Sequence, residues 1–199
     1  MLRHTHVMVG CAVTIAVFQP RDCATFIMSL AAGAIGSEIA DIDSATSKSH
    51  KDADRIATTA VAIVLCILFM DNKMNMGICN AIRNNSSYLR ILIGVFAFMG
   101  LCLYGKEKPH RTFMHSLFGM LTITAAVWIA VPVIAPYFFV GYCTHILLDL
   151  FNKKKIQLFY PKKKGICLHL CKADGITNAV LGYTATIAVG LEIICFFVL

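Results

Sequence analysis

The stretch "SLFGMLTITAAVWIAVPVIAPYFFVGYCTHILLDLF", residues 116–151, decides the fold class. It belongs to the longest apolar run in the chain, and Asp149 is its only charged residue. A membrane-spanning helix needs about 20 apolar residues, so this run holds more than one. Pro132 and Pro136 in "VPVIAP" interrupt helical hydrogen bonding and divide it into arms at 113–131 and 133–151. The alternative is one long kinked helix over 113–140.

Working outward, the rest of the chain has the same character. Of 199 residues 58% are hydrophobic and 15% charged, with mean hydropathy +0.71. A soluble domain is nearer half apolar and a quarter charged. Further apolar segments fall at 5–19, 23–40, 56–70, 89–104 and 176–199. The chain therefore reads as an all-α, polytopic helical bundle of six to seven transmembrane or half-spanning helices. It forms a single membrane domain over 1–199, with a basic loop at 152–175 before the last helix. No small-residue cleavage site follows the first apolar run, so that segment is expected to remain as a helix.

Nine cysteines is an odd number, and Cys11, Cys66, Cys102, Cys143 and Cys195 sit inside apolar segments as small packing residues. The cluster "CLHLC" (Cys167, His169, Cys171) lacks a second cysteine pair and reads as an interfacial amphipathic stretch. With seven spans, 14 of the 18 lysines and arginines share one side with the N-terminus, against 4 opposite. The positive-inside rule then places the N-terminus in the cytoplasm. The lysine triplets Lys153–Lys155 and Lys162–Lys164 read as anchors meeting anionic headgroups of the bilayer. Nucleic-acid binding is the weaker reading of the triplets.

The same charge topology collects the ionisable side chains. His6 opens the first segment, Asp41 and Asp43 follow the second in "ADID", and His110 and His115 straddle the start of the fifth. His145 and Asp149, four apart on one helix face, close the sixth. All seven lie at the cytoplasmic boundary. Singly each has a plain reading: an interfacial histidine, a capping acid pair, a basic juxtamembrane loop, an internal hydrogen-bonded pair. Together, imidazoles and carboxylates suit zinc first, with manganese or iron possible, and can hold one or two ions. The two carboxylates of "DID" would converge from an extended loop. Water on such an ion becomes a nucleophile near neutral pH. Arg111 is placed to hold an anionic phosphoester oxygen. Ser116 adjoins His115 and cannot face it from a helix.

The blocks "THVMVG" (5–10), "ADIDSATS" (40–47), "HRTFMHS" (110–116) and "GYCTHILLDLFNKKKIQLFYP" (141–161) resemble the YdjM-type family of membrane-bound metal-dependent hydrolases. The founding bacterial members are described as LexA-regulated inner-membrane proteins. The resemblance implies that His6, Asp41, Asp43, His110, His115, His145 and Asp149 occupy the family's metal-site positions. Ala40 and Ser44 stand where the family usually has proline and histidine, and Thr112 and Met114 where it has glycine and threonine. The expected function is a membrane hydrolase in which metal-activated water attacks a phosphoester or lipid-like substrate. His110 would be a ligand or move a proton, Arg111 would hold the anion, and Lys106 and Lys108 would attract it diffusely. The rival readings are a metal- or proton-coupled transporter and a non-enzymatic membrane stress protein with a structural metal.

Overall fold

The computed structural model describes residues 2–44, 73, 86–172 and 175–198. Among these, six α-helices follow in order: α1 (Arg3–Phe18), α2 (Cys23–Ile39), α3 (Ser86–Lys106), α4 (Leu117–Ala130), α5 (Ala135–Leu150) and α6 (Ile176–Val198). Short 3-10 turns lie at Ala40–Asp43 and Phe113–His115. The all-α membrane bundle is the architecture observed. The stretches Cys23–Asp43, Ser87–Lys106 and Ile176–Val198 are long and apolar enough to cross a membrane, while α1 and α4 are shorter apolar helices. The span expected at 56–70 lies outside the described residues, as do Lys48, Lys51 and Arg55.

The prolines act as a divider. α4 stops at Ala130 and α5 starts at Ala135, so the long run forms two helices rather than one kinked one. Pro136 falls in the first turn of α5, where a missing N–H costs nothing. The fifth segment begins later than its hydropathy suggests. Ser116 adopts an extended backbone and caps α4, its Oγ accepting from Gly119 N at 2.9 Å. Residues 113–115 therefore stand apart from the helix as a separate turn. Gly119 permits this, since a Cβ there would strike the Phe113 carbonyl.

α1, α2 and α5 form the packed centre. A Cβ on Gly36 would collide with the Phe138 carbonyl, and one on Gly141 with the Gly33 carbonyl. The α2 and α5 backbones thus touch directly, the kind of approach that small residues permit between membrane helices. Gly10 and Gly33 similarly seat Ser37 and Thr14 across the α1–α2 contact. The buried hydroxyls of Thr14, Ser29, Ser37 and Thr144 each donate to a carbonyl of their own helix, at 2.7–2.8 Å. Ile27, Ile35, Phe96, Leu121, Trp128, Leu191 and Phe197 point outward, as a lipid solvent favours.

The basic loop is more structured than its charge suggests. Residues 152–172 fold into a strap closed by an antiparallel bridge between Ile156 and Ile166 and a parallel one between Asn152 and Cys171. Ile156 is wholly buried, and Leu158 O accepts from Leu117 N at 3.0 Å, seating the strap against the start of α4. Cys171 turns inward, its Sγ donating to Phe151 O at 3.4 Å, while His169 stays exposed. Of the "CLHLC" residues, Cys167 Sγ meets His169 Nδ1 at 3.2 Å, while Cys171 bonds Phe151 O instead.

Gly141→Leu is expected to force α2 and α5 apart and destabilise the bundle by about 1–3 kcal/mol, the usual overpacking cost. The measurement is thermal unfolding in detergent. Gly190→Leu, where an added Cβ meets nothing within 4 Å, serves as the neutral control.

Candidate metal centre

Four elements deliver the ionisable side chains to one end of the bundle. His6 comes from the first turns of α1, Asp41 and Asp43 from the 3-10 turn after α2, and His145 and Asp149 from the last turns of α5. His110, Arg111 and His115 come from the loop between α3 and α4. All seven candidate ligand residues are brought together, in two adjoining groups. Asp41, Asp43, His110 and His115 form one; His6, His145 and Asp149 form the other. Within each group, one donor atom from every residue lies within 4.8 Å of the rest. His6, Asp43, His115, His145 and Asp149 are buried, whereas the His110 side chain is 40% exposed and marks the open edge.

The "DID" acids do not converge from an extended loop, as their spacing suggested. They sit on a 3-10 turn, from which one oxygen of each still reaches the same group of donor atoms. Asp43 Oδ1 accepts from His110 Nδ1 at 2.6 Å, and its Oδ2 accepts from Arg111 N at 3.0 Å. Asp41 Oδ1 instead faces the Nε2 atoms of both His115 and His145, at 3.7 Å each. Asp43 thus anchors the loop as well as facing His115, while Asp41 faces both His115 and His145.

The tautomer of His145 follows from its surroundings. Its Nδ1 lies 2.6 Å from the Ser37 carbonyl, which can only accept, so Nδ1 carries the proton. In the neutral ring Nε2 then presents a lone pair inward. That atom lies 3.4 Å from His115 Nε2, which is itself 3.4 Å from Asp149 Oδ2. His6 stacks on His145 with ring centroids 3.9 Å apart, and its Nε2 stands 3.4 Å from Asp149 Oδ1. Lone pairs and carboxylate oxygens that face each other across 3.4–3.7 Å repel unless positive charge lies among them, which either a proton on His115 or a metal ion supplies. Tetrahedral zinc with bonds near 2.0–2.1 Å separates its ligands by about 3.3 Å, close to these spacings. His6 Nδ1 and His115 Nδ1 are buried without a hydrogen bond, although His115 Nδ1 lies 3.3 Å from Asp43 Oδ2. The donor set therefore fits a divalent cation, and the doubling of the groups fits a pair.

The family model for YdjM inner membrane protein matches residues 1–199. The chain belongs to the YdjM family. Neither the curated proteins nor the solved structures contain a match to it. Within this YdjM protein, the family's departures at Ser44 and Thr112 fall on backbone-defining positions. Ser44 N closes the acid-bearing turn on Asp41 O at 3.2 Å, and the Thr112 hydroxyl donates to Pro109 O at 2.6 Å.

The guanidinium of Arg111, the expected anion holder, is engaged within the chain. Its Nη2 meets Asp149 Oδ2 at 3.0 Å and its Nη1 donates to Lys154 O at 2.8 Å. Lys108 lies over the Tyr104 ring at 4.3 Å, and Lys106 ends α3. Ser116 is spent on capping, donating to Phe113 O while accepting from Gly119 N. Two contributors had no chemical signature in the sequence. The Ser37 carbonyl sets the His145 tautomer, and buried Tyr142 donates to Met114 O at 2.7 Å, holding the turn that carries His115.

Burial disfavours the His115 imidazolium, but the Asp149 and Asp43 carboxylates outweigh it and push its pKa up to about 9. A pKa raised above the unfolded value of about 6.5 contributes stability that is complete below that pH and is lost as pH rises through about 9. Chelator-treated protein is therefore expected to unfold at lower temperature at pH 9.5 than at pH 6, as a rough choice of endpoints on either side of the titration. His115→Gln flattens that dependence, which thermal unfolding in detergent across the pH range measures.

Proposed function

We propose that this YdjM protein is a membrane-bound metal-dependent hydrolase with a two-metal His/Asp centre at the cytoplasmic membrane boundary. The observation that carries this reading is the inward lone pair of His145 Nε2, fixed by the Ser37 carbonyl and facing His115 and Asp41. His6, His145 and Asp149 would hold one ion, and Asp41, Asp43 and His115 the other. Zinc suits the imidazole-rich set best, with manganese and iron as competitors. When bound, such ions supply Lewis acidity that polarises an ester oxygen and acidifies water.

The remaining roles belong to the chain itself. His110 is exposed at the edge and hydrogen-bonded to Asp43, a placement suited to moving a proton between the centre and water. Arg111 holds Asp149 in place from the opposite side. The centre sits where α1 begins and α2 and α5 end, next to the basic strap, so the substrate class we assign is a lipid or amphiphilic phosphoester. The 14-to-4 charge asymmetry supports a cytoplasmic N-terminus and thus a cytoplasmic centre.

Elemental analysis of protein dialysed against buffered zinc is expected to find one to two equivalents in wild type. His145→Ala and Asp149→Ala should each weaken binding by about tenfold or more while the protein still folds. Loaded wild type should then hydrolyse members of a phosphoester panel that includes phospholipids, with chelator abolishing the rate. Absence of bound metal in wild type defeats the proposal; metal-dependent uptake into proteoliposomes without hydrolysis favours a carrier instead.

A further inference from the structure

The strap over residues 152–172 carries two lysine triplets, and no acidic residue occurs between Leu150 and Ala173. Lys153, Lys154, Lys155, Lys162, Lys163 and Lys164 are all exposed, and among the described residues none of the six is in an ion pair. Phe159, Leu168 and Leu170 are exposed on the same strap at 53%, 53% and 70%. Exposed apolar side chains interleaved with clustered cations suit the headgroup boundary of a bilayer, where each lysine gains from anionic lipid.

Arg111 ties this surface directly to the acids of the His/Asp centre. Arg111 has a left-handed backbone, φ 68°, an unusual conformation for a side chain of its size. That twist lets its N–H bond Asp43 Oδ2 at 3.0 Å while its carbonyl accepts from Gln157 N, in the strap, at 2.9 Å. The guanidinium repeats the link, joining Asp149 to the Lys154 carbonyl inside the first lysine triplet. Both acids that Arg111 touches belong to the centre, one from each group.

We propose that residues 152–172 form an anionic-lipid-binding strap, locked through Arg111 to Asp43 and Asp149, so that headgroup binding orders the His/Asp centre. The occupant is the headgroup of an anionic phospholipid in the same membrane, matched by six cations beside apolar anchors. Anionic lipid thereby becomes a regulator of the centre, a role beyond the hydrolase reading and independent of whether an ion is bound.

The test is hydrogen exchange by mass spectrometry on the full chain in nanodiscs, in chelator throughout, so that its outcome is separate from the metal question. Discs of phosphatidylcholine alone are compared with discs that include phosphatidylglycerol. Phosphatidylglycerol should slow exchange about tenfold in the strap, with a smaller slowing in residues 109–116. Replacing all six lysines by Gln should abolish both effects. Arg111→Gln should keep the strap effect and diminish the one at 109–116, since it removes the guanidinium link but not the main-chain one. Arg111→Lys, which preserves the charge but cannot fork between Asp149 and Lys154, should behave the same way and covers the case in which Arg111→Gln fails to fold. Equal exchange in the two lipids overturns the proposal, as does a strap effect that survives loss of the lysines. Undiminished transmission to 109–116 in both Arg111 variants overturns the coupling. Protection by soluble polyanions in phosphatidylcholine discs, matching that of phosphatidylglycerol, overturns the assignment of a membrane lipid.

Discussion

The direct contact of the α2 and α5 backbones is the constraint on which the centre depends. Gly33, Gly36 and Gly141 remove the side chains that would hold these helices a full diameter apart. Once the helices touch, the end of α2 with its acids and the end of α5 with His145 and Asp149 are fixed at one place. The Ser37 carbonyl then comes within 2.6 Å of His145 Nδ1, so the packing of two helices chooses the tautomer of a ring. α1 enters against the same pair through Gly10 and Thr14 and brings His6 to stack on His145.

Burying five of the seven ionisable side chains at the end of an apolar bundle is costly unless each is partnered. The partners visible in the chain are the carboxylates, the histidines themselves and Arg111. They leave His6 Nδ1 without a hydrogen bond. Local order elsewhere serves to hold this arrangement. Ser116 starts α4 only after His115 so that His115 can turn inward, Tyr142 pins that turn, and the strap braces the loop from outside.

The legibility of the protein differs between its parts for physical reasons. Long apolar stretches must be helices in lipid because no other local structure satisfies its own backbone, and Pro132 and Pro136 forbid continuity. The helix ends were therefore readable to within a few residues. The exception was 113–115, which the apolar run absorbed although Ser116 caps the helix after it. The seven His and Asp residues were also readable, because ionisable groups at a membrane boundary stand out and charge topology put them on one side. The strap was not: its order comes from backbone pairing between Ile156 and Ile166, which lysine-rich composition conceals.

The sequence by itself determined an all-helical membrane chain, its proline break, and a set of imidazoles and carboxylates gathered at one boundary. Those follow from hydropathy and charge, which act residue by residue. Only the tertiary structure decided that Asp43 anchors the loop as well as facing His115, that Arg111 joins Asp43 and Asp149 to the strap, and that His145 points a lone pair inward. Each of those depends on a carbonyl or an N–H supplied by another element, and main-chain groups are the same in every sequence.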